Sequence, residues 1–361
     1  VWRSNLNVDI QLPYDFMLSV GAMYTRDIYN VAQINMNEAE PTGVYNEQPD
    51  RIYWASKKYE YNDYTNGKNV VVKLSNGEDK GYQYSFNAIL TKKYDFGFTG
   101  SIGYTYTMAK DLTANPGSAP NSAWQNNVAV NSLNDPGVSY SLFSTPHRII
   151  ANASYEINYA KCLKTTFSLF YSGYHTGRYS YTYYNDMNGD GNYSDLIYVP
   201  NSQDEMTFVD ITDKSGAITY SAVDQAKDFW DFVNNDSYLK DRKGKYVERN
   251  GSLTPWINRF DFKIAQDFYA TLGGRKYGIQ VSLDMLNVGN MINSKWGAYQ
   301  SCGLKSYDNV QLLKTASKVG EPLTYQINAN SREAFKERSS WQYTNTIGSA
   351  WSMQLGVKVT F

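Results

Sequence analysis

The chain has almost no cysteine or histidine: two of each among 361 residues, at Cys162, Cys302, His147 and His175. Neither cysteine belongs to a Cys-x-x-Cys pair, so zinc and dithiol redox sites are set aside and isolated thiols are expected. With two histidines and no Gly-x-Ser-x-Gly, a Ser/His/acid hydrolase has little to build on. There is no phosphate-cradling glycine loop, and the chain reads as non-enzymatic. An excess charge of one sign is also missing. Lys and Arg number 34 against 35 Asp and Glu, so nothing argues electrostatically for nucleic acid. No apolar run reaches helical spanning length and mean hydropathy is −0.54, which disfavours a helical membrane protein.

What the chain does have is tyrosine, 33 residues of it, with 15 Phe and 8 Trp. It also has alternation. From Trp351 to Phe361 every odd position (Trp351, Met353, Leu355, Val357, Val359, Phe361) is apolar, and every even one is small, polar or charged. Successive strand side chains point to opposite faces, so this segment has a greasy side and a wet side. Its length suits the roughly 9–11 tilted residues that cross a bilayer. The same pattern recurs upstream. Leu6, Val8, Ile10 and Leu12 form one apolar side, and Phe16, Leu18, Val20, Ala22 and Tyr24 the next. Further strands are predicted over 82–90, 96–106, 147–157, 163–173, 259–269 and 277–285. In the strand over 259–269, Phe260, Phe262, Ile264 and Phe268 oppose Arg259, Asp261, Lys263 and Asp267.

Short turns near 13–15, 93–95, 158–161 and 271–276 alternate with long polar segments at 25–81, 107–146, 174–258 and 287–350. The expectation is therefore all-β: an antiparallel transmembrane β-barrel with aromatic girdles, short periplasmic turns and long extracellular loops, in the bacterial outer membrane. A soluble sandwich would bury the charges of the 259–269 strand, which is costly. About nine spanning strands result, whereas single-chain bacterial barrels have an even number. The whole span, 1–361, is accordingly expected to be the carboxy-terminal part of a longer barrel, with a processed or truncated start at Val1. The topology puts Cys162 and Cys302 at opposite ends, so no disulfide is expected.

Asn258-Arg-Phe-Asp-Phe-Lys-Ile-Ala-Gln-Asp-Phe268, Gln280-Val-Ser-Leu-Asp-Met-Leu-Asn-Val-Gly-Asn290 and the terminal aromatic strand resemble the last strands of TonB-dependent outer-membrane transporters. Thr145–Tyr155 and Asp186–Pro200 are similar to the Oar-like subgroup of that family. The resemblance implies a barrel of about 22 strands with a plugged lumen. The remaining strands, the plug and the amino-terminal domains would lie outside this chain. Implied partners are the TonB complex, reached through those missing parts, outer-membrane lipids and the barrel assembly machinery, which would recognise Phe361. Implied function is import of a ligand captured by the long loops. An adhesin or assembly component that binds a surface-exposed partner protein without transport is the alternative. Inward Arg148, Glu156, Asp261, Lys263, Asp267 and Asp284 would line the lumen and meet the plug.

Two loop features stand out. Asp186-x-Asn188-x-Asp190-Gly191-Asn192-x-x-Asp195 places oxygen side chains at positions 1, 3 and 5 and Gly at 6, as in the first half of a calcium loop. Ile197 stands where a bidentate Glu belongs, and Asp195 is the substitute. A Ca²⁺ ion held there would rigidify the loop; an ion-free Asx/Gly turn is the alternative. Around it cluster Tyr174, Tyr179, Tyr181, Tyr183, Tyr184, Tyr193 and Tyr198, expected either to grip ligand at the barrel mouth or to pack the loops. Ser221–Asn234 carries a capping residue and apolar residues Val223, Ala226, Trp230 and Val233 at helical spacing, predicting a surface helix.

Overall fold

The computed structural model describes residues 1–61, 69–78, 80–114, 117–302, 305–306, 309–328, 335 and 341–361. Nine long strands follow one another as an antiparallel meander: β1 Trp2–Leu12, β2 Phe16–Arg26, β3 Tyr82–Lys93, β4 Phe98–Asp111, β5 His147–Tyr159, β6 Leu163–His175, β7 Trp256–Leu272, β8 Arg275–Leu286 and β9 Ser352–Thr360. Each pairs with its sequence neighbours and with no other long strand. The chain is thus mostly antiparallel β. Among the described residues β1 and β9 are not paired with each other, and the sheet is open.

The register carries the alternation across the sheet. One row runs Ile10, Leu18, Leu90, Ile102, Ala151, Tyr171, Phe260, apolar throughout. A row on the other face runs Thr99, Ser154, Ser168, Lys263, Asp284, Gln354. A one-residue slip in any pair would exchange the faces, so the pattern itself fixes the register. Among the described residues the apolar face has no covering layer: Phe86 and Ile102 are each 53 % exposed and Leu355 is 72 % exposed. Ile89 and Phe170 are apolar exceptions on the polar face.

Tight turns join the strands at one end. Tyr14 and Asp15, Ala160 and Lys161, and Gly273 and Gly274 all take positive φ there. Phe96, expected to begin a strand, lies instead in the turn before β4, next to Gly97 at φ +95°. A Cβ at Gly97 would stand 2.2 Å from the Glu156 carbonyl, so only glycine lets the turn press against β5.

The opposite end holds the long polar segments, and they do more than loop. The four long connections fold together into one cap, and the molecule's main hydrophobic core lies there. Its centre is a mixed sheet. Strand Arg178–Tyr183 pairs in parallel with Asn309–Thr315 and antiparallel with Ser252–Leu253, and Asn309–Thr315 in turn pairs with Lys305–Ser306 and Tyr325–Ile327. Tyr45 and Val128 join this core from the first two connections. The predicted helix is present as Ala222–Asn235, and the Ser221 hydroxyl accepts the Asp224 N–H at 3.1 Å. Its buried face is Gln225, Phe229, Phe232 and Val233, whereas Val223, expected on that face, is exposed. The two cysteines do not form a disulfide: Cys162 is exposed in the β5–β6 turn and Cys302 is buried in the cap. No described helix is long and apolar enough to cross a membrane.

Candidate functional site

The cap is organised around the loop Asp186–Asp195. Asp186 accepts the N–H groups of Gly189 (2.8 Å) and Gly191 (2.9 Å), Asn188 accepts that of Asp190 (3.0 Å), and Asp190 accepts that of Asn192 (2.7 Å). Each short polar side chain therefore holds the backbone two to five residues on, which coils the loop inward. Gly189 and Gly191 take φ of +83° and +96°, and a Cβ at Gly189 would stand 2.6 Å from the Trp54 carbonyl. The glycines allow the loop to press against the first long connection.

Asp195 closes the loop by accepting the Met187 N–H at 3.0 Å. Beside it is Arg51, fully buried, with Nη1 3.5 Å from the carboxylate. The same guanidinium donates to the carbonyls of Val130 and Leu196 and to Gln48 Oε1 (3.2 Å), and stacks 4.8 Å from the Tyr246 ring centroid. Gln48 donates on to Tyr183 (2.9 Å) and Tyr325 (2.8 Å). Arg51, Val130, Asp195 and Tyr325 come from the four different connections, so one polar cluster ties all of them. Nothing local in the sequence marks Arg51 or Gln48, because apart from each other their side-chain partners lie 79 to 277 residues away.

The carboxylates of this loop are electrostatically poised. Burial raises Asp186. Burial, then the charges of Asp195 and Asp186, push Asp190 well above the ordinary carboxylate range. Burial pushes Asp195 up to about 7, against the opposing pull of Arg51. Among the described residues, no group of three or more His, Cys, Asp or Glu side chains converges as a metal cluster. An ion in this loop would have to draw on Asn188, Asn192 and main-chain oxygens beside the Asp side chains, a donor set acceptable to a hard cation.

The tyrosines divide. Tyr179, Tyr181, Tyr183 and Tyr198 are buried in the cap core. Tyr181 donates to Asp236 at 2.8 Å and packs edge-on against Tyr179, whose hydroxyl is pushed up to about 12 by burial. The ligand-gripping role expected of these four is corrected: a ring without accessible surface cannot take ligand from solvent. A high tyrosine count does not distinguish a mouth from a core. Tyr174 ends β6 on the polar face, half-buried, in register with Arg148. Tyr184 and Tyr193 are exposed, at 46 % and 66 %.

The six charged residues expected to share a face do share it. Lys263 meets Asp284 at 2.8 Å and Arg259 meets Asp261 at 3.1 Å. Lys164 lies 3.4 Å from Glu156 and 3.7 Å from Asp267. Arg148 sits above the Tyr174 ring. The buried Asn287 N–H donates to Asp261 (2.7 Å) while its amide donates to the Gly297 and Ser349 carbonyls, fastening cap to sheet. Of the histidines, His147 Nδ1 meets Tyr104 Oη at 2.7 Å and His175 Nδ1 meets the Thr254 carbonyl at 2.6 Å. No family model, curated protein or solved structure matches this chain.

Proposed function

We propose that the chain forms part of an outer-membrane β-barrel. The observation carrying this reading is the nine-stranded meander with one face apolar and uncovered and the other lined by paired charges. An uncovered apolar face of this extent is unfavourable in water and suited to lipid. Trp256, Trp296 and Tyr343, which share a surface cavity where the sheet meets the cap, fit an interfacial aromatic belt. The edges of β1 and β9 call for further strands, since an open edge cannot remain unpaired in hydrocarbon. The tight turns would be periplasmic and the cap extracellular.

Within that class, the resemblance of the last strands favours a TonB-dependent transporter in which the ion-paired face of β5–β8 meets a plug. The test is retention of the intact protein, solubilised from membranes, on the immobilised periplasmic domain of TonB. Retention supports transport; protein that sediments with the outer membrane yet is not retained sinks it. The cap's compact fold favours a second reading, an adhesin or assembly component holding a partner protein. In either case Ca²⁺ in the Asp186–Asp195 loop would relieve the repulsion among its buried carboxylates. Added Ca²⁺ should then stabilise the cap relative to chelator by about 2.7 kcal/mol at a hundredfold excess over Kd, read as a higher melting temperature. Asp190→Asn should abolish the shift.

A further inference from the structure

Beside the second half of the Asp186–Asp195 loop lies a cavity of about 340 Å³, within the size range of small-ligand sites. Three connections build it: Gln125 ends a short helix that Asn126 and Asn127 follow, Gly191–Ser194 belong to the coiled loop, and Asn309 and Gln311 stand on the central cap strand. Its described lining contains six amide side chains, one serine, one glycine and Tyr193, and no charge. The Tyr193 ring, 66 % exposed, is available for stacking, unlike the buried tyrosines nearby. Asn192 is 4 % exposed, and its Nδ2 has no hydrogen-bond partner among the described residues. A buried unpaired amide donor is costly and stays so until a ligand or water satisfies it.

We infer that this cleft is a subsite for a neutral saccharide, captured between the amide side chains and the Tyr193 ring. Each amide offers a donor and an acceptor, which matches hydroxyls that do both. The apolar C–H face of a pyranose would lie on the aromatic ring. A phosphate, carboxylate or anionic metal chelate would find no counter-charge in the described lining. A peptide captured by strand addition needs a free sheet edge. The strand bearing Asn309 and Gln311 offers none, because Ser180–Tyr183 pairs on one side and Lys305–Ser306 and Tyr325–Ile327 on the other. The subsite deepens the loop-capture reading, and its position makes it depend on how the Asp186–Asp195 loop is held.

The experiment is calorimetric titration of the intact protein in detergent with neutral oligosaccharides (maltohexaose, cellohexaose, chitohexaose, mannohexaose), and with an uncharged Gly/Ser peptide and ferric citrate for comparison. At least one oligosaccharide should bind. Tyr193→Ala and Gln125→Ala, both at exposed side chains, should each weaken binding about tenfold, while Tyr193→Phe keeps the ring and most of the affinity. Unchanged resistance of the cap to protease shows that the variants fold. Absence of saccharide binding, binding indifferent to both variants, or binding of the peptide or citrate at this cleft overturns the inference. None of these outcomes alters retention by TonB, so failure of the subsite is separable from failure of the transporter reading.

Discussion

Arg51 illustrates how much of the cap rests on single side chains. Its guanidinium satisfies two main-chain carbonyls and offsets Asp195 from a position with no solvent access. Arg51→Ala should cost about 3–5 kcal/mol, because it strands a buried carboxylate as well as two carbonyls. Loss of protease resistance across the cap, with the nine strands retained by circular dichroism, is the expected result. Asp195 itself makes stability pH-dependent. Its folded value near 7 lies above the ordinary 3.8, so the folded cap binds a proton that the unfolded chain releases. Stability from this group is fully present below about pH 4 and is lost as pH rises through about 7. Chelator-treated protein should therefore melt at lower temperature at pH 8 than at pH 5, and Asp195→Asn should flatten that part of the profile.

At the scale of the strand, position parity decides what a substitution does. Val357 lies on the apolar face near the middle of β9, and Lys358 faces the other way. Val357→Lys should cost about 2–4 kcal/mol in lipid vesicles, by the depth-dependent penalty for a charge facing hydrocarbon, and Lys358→Gln very little. Equal urea midpoints for the two would contradict a lipid-facing side. Phe361, 94 % exposed beyond β9, is proposed as the signal for the assembly machinery; its removal should lower the folded fraction recovered from outer membranes. These strands were legible in sequence because their alternation runs for ten or more residues and their partners are sequence neighbours. The cap was not. Strand Arg178–Tyr183 alternates, with Tyr179, Tyr181 and Tyr183 opposing Arg178, Ser180 and Thr182, but it is only six residues long and buried on both faces, and its parallel partner begins over a hundred residues later. The Asp186–Asp195 loop was legible because its hydrogen bonds are local. Its ties to Arg51 and Ala129 were not, and the same blindness left the core tyrosines open between a ligand-gripping mouth and loop packing.

For the molecule as a whole, the sheet and the cap have different interiors. The sheet turns its apolar side outward, and the cap turns its own inward, as a water-soluble domain does. Proteinase added to whole cells should therefore nick exposed cap segments and spare the nine strands, whereas cleavage confined to the turn end would reverse the proposed orientation.

That the cap core draws on all four connections has a kinetic consequence. Gln48 and Tyr325, hydrogen-bonded in the finished protein, lie 277 residues apart. Such contacts close only after the intervening chain has been made, moved and threaded into strands, and contacts this distant in sequence are slow to form. The first three connections, with their apolar residues and unpaired strand edges, must wait for the fourth. During that interval they are exposed to aggregation and proteolysis. Refolding should accordingly show strand formation ahead of burial of Tyr181 and Tyr325, and the waiting period should be the step most dependent on holding chaperones.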